Sequence, residues 1–326
     1  MTTKRVLLQA AICACATFVA HQAHAQADAF PSKTLRFIVP FAAGGPADVV
    51  AREVAQALGK ELGQSVVVEN LGGGAGVPAT NAVVRAPADG YTLLFAASGN
   101  VVIQPLLSRK RVDILTQLSP VGMVTTSPHV LVVSSQLPVR TVKELIDHAQ
   151  ANPGNLNFAS AGVGGLAHLA SEWFMQQAGI QGRHLAYKGS SQAMTDLASG
   201  QVQAMFSSLP SMKGMVDKGL LRVVGVSSRS QSPTYKDFPL IKQAGLPGFE
   251  YTTWYGLFGP VGVPPAVVEK LGTALGKLAA DKAFEARLRE QGVDLHVSAP
   301  QELAERTRKE TAAWDKVIRE SGIHLN

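Results

Sequence analysis

Apolar and polar positions along this chain follow two periods. Short runs rich in β-branched and aromatic residues occur at 35–40 (LRFIVP), 65–70 (SVVVEN), 91–97 (YTLLFAA), 130–135, 156–160, 184–188, 202–208 and 221–228. Between several of them apolar residues recur every three or four positions, most clearly in 47–62 (ADVVAREVAQALGKEL) and 141–150 (TVKELIDHAQ), which predicts amphipathic helices. Strands alternating with helices predict an α/β protein with parallel sheets. The end of the chain has a different pattern. Residues 252–265 (TTWYGLFGPVGVPP) predict an aromatic, glycine-punctuated strand and a proline-started helix, followed by helices over 266–280, 282–292 and Pro300–Glu320. Helices of this kind are expected to pack back on the first part of the chain. The chain then leaves a first lobe near 120–127, builds a second, and returns around 230–250, and two crossings make a hinge. One weak internal echo stands out: 36–45 (RFIVPFAAGG) and 156–165 (LNFASAGVGG) both run from an apolar strand through small residues to a Gly-Gly pair.

The first 25 residues are set apart from this pattern. Lys4 and Arg5 precede an apolar stretch at 6–20, and AHA at 23–25 supplies small residues on either side of a cleavage position. That is the layout of an export signal cut after Ala25, and about 15 apolar residues are too few to span a bilayer comfortably. Export to the periplasm follows, with residues 1–25 as signal, 26–126 and 236–326 as a discontinuous first lobe, and 127–235 as the second. Both cysteines, Cys13 and Cys15, fall inside the signal, so the mature chain offers no disulfide, thiol nucleophile or cysteine metal site. A mature chain of 301 residues (326 less 25) is long for a single core, which favours two lobes. Taking Lys4 and Arg5 from 30 basic residues leaves 28 against 24 acidic, a balance of +4. That is too modest and too dispersed for a nucleic-acid surface.

The bends between strands and helices carry the candidate chemistry. In IVPFAAGGPADVV (38–50), Pro46 suits the first position of a helix, with Gly45 as its cap and Asp48 in the third position. A helix start exposes unpaired N–H groups and partial positive charge, which favours an anion. The spacing is not that of a nucleotide loop, and a lone Gly-Gly turn reads equally as a tight connection. Similar Gly- and Ser-rich bends recur at 96–100, 159–165, 187–192 and 207–211. In open α/β sheets such bends gather at the carboxyl ends of the strands, where ligands bind. Bends from two facing lobes would line a cleft with N–H and hydroxyl donors suited to a carboxylate. Lys188 is the single fixed cation among them and reads equally as a solvated lysine; Asp48 reads as a helix-start stabiliser.

An exported enzyme finds little support. No G-x-S-x-G elbow, S-x-x-K or H-E-x-x-H is present. His168 and Glu172 lie four apart on one helix face, a metal-compatible spacing, but no third ligand is close in sequence, so the structural reading is taken. The bends hold no paired carboxylates for acid–base chemistry. No cofactor, metal or catalytic residue is expected.

The blocks PSKTLRFIVPFAAGGPADVVAR (31–52), LGQSVVVEN (62–70), APADGYTLL (86–94), LPVRTVKELI (137–146), ANPGNLNFASAG (151–162), YKGSSQAMTDLASGQVQAMF (187–206), AGLPGFE (244–250) and WYGLFGP (254–260) resemble the tripartite tricarboxylate transporter receptors, or Bug proteins. These extracytoplasmic solute-binding proteins match essentially the whole mature length. The resemblance implies a type II periplasmic-binding, Venus-flytrap fold with a small organic carboxylate held between two α/β lobes. It nominates Phe41, Ala43, Ser98 and Asn100 from the first lobe, and Ser160, Ala161, Gly164, Tyr187, Gly189, Ser207 and Ser208 from the second. Phe41 and Tyr187 would wall the ligand, although an ordinary packing role for Phe41 stays open. Ser207–Ser208 stand where relatives commonly carry Asp-Asn, which points to a carboxylate without an ammonium group, such as a dicarboxylate or an aromatic acid. Val77 and Ala79 replace the usual Asn and Gly in the loop 72–80. The implied partners are integral membrane transporter subunits, with the receptor itself a monomer. The alternatives are a receptor signalling to a membrane sensor kinase and an ABC-type solute-binding protein.

Overall fold

The computed structural model describes residues 30–108, 111–187 and 189–321; the export signal expected over 1–25 and Lys188 lie outside them. The chain first runs through β1 (Leu35–Val39), α1 (Pro46–Leu62), β2 (Val66–Asn70), α2 (Val77–Val84) and β3 (Thr92–Ala97). A π-helical turn (Gly99–Ile103) continues into α3 (Gln104–Leu107), followed by β4 (Leu118–Pro128). A second set follows: β5 (Val130–Ser134), α4 (Val142–Ala151), β6 (Leu156–Ser160), α5 (Leu166–Ala178), β7 (Gly182–Ala186), α6 (Ser190–Ala198), β8 (Ala204–Ser207), α7 (Leu209–Asp217) and β9 (Leu221–Val226). The chain ends with β10 (Thr252–Pro260), α8 (Pro265–Leu278), α9 (Lys282–Glu290), β11 (Asp294–Leu295) and α10 (Pro300–Ser321).

Two sheets result, one six-stranded (β11-β4-β10-β3-β1-β2) and one five-stranded (β7-β6-β8-β5-β9). β1, β2 and β3 are parallel to one another, as are β6, β7 and β8. β10 and β5 run antiparallel to their neighbours. The chain passes from the first sheet to the second between Pro128 and Val130 and returns at Thr252.

Local physics explains most of these elements. α1 buries Val50, Ala51, Val54, Ala55 and Leu58 at helical spacing, begins with Pro46 and stops at Gly63, whose φ of 67° only glycine adopts without cost. α4 starts where Thr141 accepts from the Glu144 amide at 3.1 Å while the Glu144 carboxylate accepts from the Arg140 amide at 2.7 Å. β4 shows no strand pattern in its residues, since Pro120, Gly122, Ser119 and Pro128 interrupt it. It exists because β10 pairs along its whole length, with two register shifts absorbing the irregularity. β7 occupies 182–186, two residues earlier than the expected 184–188. Its Gly182 pairs with Leu156, and the strand ends where the Tyr187 amide reaches the Ser160 carbonyl.

The aromatic core spans both sheets. Phe95 stacks between Phe37 and Tyr255 in the first; Phe206 sits among Phe158, Phe174, Phe249 and Tyr251 in the second. Burying each such phenylalanine is worth about 1.5–3 kcal/mol. α10 ties the two sheets together, with Trp314 edge-on to Trp173 of α5 at 5.5 Å and Glu320 accepting from Gln176 at 2.8 Å. A second tie surrounds Gly292. Its carbonyl accepts from Tyr235 at 2.9 Å and Ser127 at 3.0 Å, and Asp294 accepts from Thr234 at 2.6 Å and from Ser232.

Candidate functional site

The strand registers place the candidate bends at sheet edges. In the first sheet Ala97 pairs with Tyr255, which pairs with Thr125, three residues before the crossing at Pro128. The carboxyl ends of β3 and the parallel β1 therefore lie at the crossing edge. In the second sheet Val130, the first residue after the crossing, pairs with Ser207 and Val226. The carboxyl ends of β8, β6 and β7 lie at that edge too. All eleven candidate residues lie at or just after these five strand ends, with Ser160 and Ser207 closing β6 and β8. The registers thus set both groups at sheet edges near the crossing between the sheets, which spacing along the chain could not show.

Each of the five bends opens a helix or helical turn. The caps are Gly45, Ser98, Gly165, Gly189 and Ser208, and none of them gives a side-chain hydrogen bond to the first amides of its helix. Thr141 on α4 and Asp281 on α9 do cap their helices, while α2 and α8 begin without a side-chain cap. Unpaired first-turn N–H groups carry the positive end of the helix dipole. Five such helix starts follow strand ends near the crossing, and helix starts of this kind favour an anion.

The individual residues differ in how free they are. Phe41 is half-buried, packs on the first-sheet core, and accepts at its carbonyl from Asn70 at 3.1 Å; Ala43 is exposed. Ser98 is buried, and its hydroxyl has no hydrogen-bond partner within the protein. Among the described residues only the Thr125 hydroxyl, inside β4, shares that state. A buried unpaired hydroxyl costs about 1–3 kcal/mol, so a fixed function is expected of it. Asn100 is buried, with its side-chain oxygen accepting from the Ala97 amide at 3.2 Å. Ala161 is exposed, Tyr187 half-buried with its hydroxyl donating to Asp196 at 2.9 Å, and Gly189 half-buried. Burial, then the Asp196 carboxylate, holds the Tyr187 phenol above its usual pKa. Ser207 and Ser208 share hydrogen bonds with Ser211, at 3.3 and 2.5 Å between hydroxyls.

Two candidates are already engaged. The Ser160 hydroxyl contacts His184 Nε2 at 2.6 Å and the Gly162 carbonyl at 2.8 Å. The Gly164 amide donates to His168 Nδ1 at 2.9 Å. His184, from β7, is also the neighbour that sequence spacing did not find for His168 and Glu172: all three offer ligand atoms within 4.8 Å of one another. Sixteen positions separate His184 from His168, and only the parallel pairing of β6 with β7 brings them together. Burial, then the adjacent His168, lowers the His184 pKa to about 4, against an opposing pull from Glu172.

Asp48 acts within the protein. It is buried and accepts from the Gly44 amide at 2.8 Å, Arg52 at 3.0 Å and Asn70 at 2.9 Å. Burial pushes its pKa up, but these three donors outweigh burial and hold it below the ordinary carboxylate value. The loop 72–76 packs on the first bend: a Cβ on Gly76 would lie 2.5 Å from Asn100 Nδ2 and 2.9 Å from Pro40. Glycine there is a packing requirement, and the loop buttresses Asn100. Two cavities of about 470 and 550 Å³ run along α10, lined by residues such as Trp173, Tyr251, Glu310 and Trp314 or Ser228, Thr252 and Arg306. Neither includes any of the eleven candidates. The candidate hydrogen-bonding groups lie at the strand ends, outside these two cavities.

The family model described as "Tripartite tricarboxylate transporter family receptor" matches residues 50–323. The chain belongs to this family. It is 33% identical to protein BugT of Bordetella pertussis across 92% of each chain. Among solved structures, R. palustris Rpa4515 with adipate superposes with a TM-score of 0.78 at 32% identity, covering 90% of this chain and 99% of that one. MatC from Rhodopseudomonas palustris with bound malate gives 0.72 at 29% identity, covering 89% and 100%. The two-lobe α/β receptor has the Venus-flytrap architecture of periplasmic solute-binding proteins, and its family is one of binders rather than catalysts.

Proposed function

We propose that this Bug-family receptor captures a small organic carboxylate without an ammonium group between its lobes in the periplasm and presents it to transporter subunits in the membrane. The observation that carries the reading is the set of five helix starts without side-chain caps at sheet edges near the crossing. The buried, unpartnered Ser98 hydroxyl supports it. Adipate and malate in Rpa4515 and MatC are both dicarboxylates, and a dicarboxylate could bridge donors of both lobes. Phe41, Ala43, Ser98 and Asn100 form the first-lobe wall, with Ser160, Ala161, Gly164, Tyr187, Gly189, Ser207 and Ser208 opposite. Ser207 and Ser208 offer hydroxyls rather than a carboxylate, which leaves no counter-charge there for an ammonium group. A ligand touching both lobes favours the closed form, and closure about the two crossings creates the surface offered to the membrane partner.

A thermal-shift screen of the mature protein against mono-, di- and tricarboxylates, amino acids and aromatic acids tests the proposal. A true ligand at a hundred times its Kd adds about 2.7 kcal/mol of stability. A response confined to amino acids, or to no acid at all, refutes it.

A further inference from the structure

The bend after β6 is held from beneath by two stacked imidazoles, His168 and His184, whose ring centres are 3.7 Å apart. Their tautomers follow from their neighbours. The Gly164 amide can only donate, so His168 Nδ1 is the bare acceptor and its proton sits on Nε2, facing Glu172 at 3.6 Å. The Ser160 hydroxyl has one proton, which goes to the Gly162 carbonyl; it must therefore accept from His184 Nε2 and from the Gly162 amide at 3.3 Å. Both rings are neutral and carry their proton on Nε2. A metal ion held by His168, Glu172 and His184 does not fit this arrangement. It would need a lone pair on His168 Nε2 while Nδ1 is already committed to Gly164, which a neutral imidazole cannot supply.

We propose that His168 and His184 are positioning residues for the second-lobe bend 161–165: His168 pins the Gly164 amide, His184 pins the Ser160 hydroxyl, and together they set the shape the bend offers to a ligand. Gly164 has a φ of 76°, a left-handed conformation that leaves its amide pointing back at the helix it precedes. Pinning that amide removes it from the donors that face the cleft and leaves Ala161 and Val163 exposed there. The inference deepens the carboxylate-receptor reading and rests on it for its functional meaning.

Amide hydrogen exchange on the ligand-free protein tests the positioning without any ligand. His168→Asn keeps an acceptor oxygen near the position of Nδ1; His168→Gln keeps polarity and size but moves its oxygen one bond too far. We expect Gly164 exchange at least tenfold faster in H168Q and close to wild type in H168N, with Leu169 deeper in α5 unchanged in both. Equal Gly164 protection in both variants overturns the proposal. So does a zinc titration that raises the wild-type Tm but not that of His184→Ala, since that would make the cluster a metal site. Calorimetry with adipate as the probe adds the functional arm: about fivefold weaker binding in H168Q and near-normal binding in H168N. If adipate and every other acid screened fail to bind wild type while the exchange pattern holds, the carboxylate reading falls and the positioning role stands.

Discussion

The bend after β1 and the bend after β6 share one backbone design and differ in one side chain. Gly44 and Gly164 have φ of 79° and 76°; Gly45 and Gly165, the caps, have φ of −77° and −73°. In both, the amide of the left-handed glycine donates to the side chain four residues on, in the third position of the helix. In the first bend the acceptor is the Asp48 carboxylate at 2.8 Å; in the second it is the His168 imidazole at 2.9 Å. The difference lies in what each acceptor brings with it. Asp48 is a negative charge in the first turn of α1, and Arg52 and Asn70 bind it so that its charge is spent internally. His168 accepts through an imidazole nitrogen and brings no carboxylate charge to that bend.

The largest test of this contrast is Asp48→Ala. It removes a buried carboxylate and leaves the Gly44 amide, Arg52 and Asn70 without it. Denaturant unfolding should show a loss of about 3 kcal/mol, the scale for hydrogen bonds to charged groups. The sign with pH follows from the lowered pKa. The Asp48 contribution is complete above the ordinary value of 3.8 and lost as pH falls through its lower folded value. Acid unfolding of the wild type should therefore be steeper below that pH than in D48A.

Ser98→Ala comes next and acts on binding rather than folding. Removing an unpaired buried hydroxyl should leave the unfolding midpoint unchanged or slightly raised. Carboxylate affinity should fall by about 1.5–3 kcal/mol if that hydroxyl meets a charged ligand. A stability loss with no change in affinity would remove Ser98 from the site. Ser160→Ala should behave in the opposite way, costing about 1 kcal/mol of stability because its hydroxyl is already engaged with His184 and Gly162. The smallest effect is expected from Gly44→Ala and Gly164→Ala. Each forces a Cβ into a left-handed backbone at a cost of about 1 kcal/mol. Near-equal costs would confirm that the two bends share a backbone design; a large inequality would break the comparison.

Much of the architecture was legible in the residues. The β-branched runs ended within a residue or two of most strands, because a strand buried on both faces must be apolar throughout. β4 was not legible, since its pairing partner β10 lies more than a hundred residues away and supplies the order that its own prolines and glycines oppose. The echo between 36–45 and 156–165 proved structural down to the glycine torsions. The role of its third-position residues did not show, because Asp and His look unrelated until both are seen accepting the same kind of amide.

Sequence alone determined the two-period pattern, the Gly- and Ser-rich bends and the family, since each depends on residue type at short spacing. Only the tertiary structure decided which donors stay free. His184 meets Ser160 through the pairing of β6 with β7, and Ser98 is left without a partner by how β3 is buried. Whether a hydroxyl or amide is spent inside the protein depends on neighbours distant along the chain, and those are set by packing.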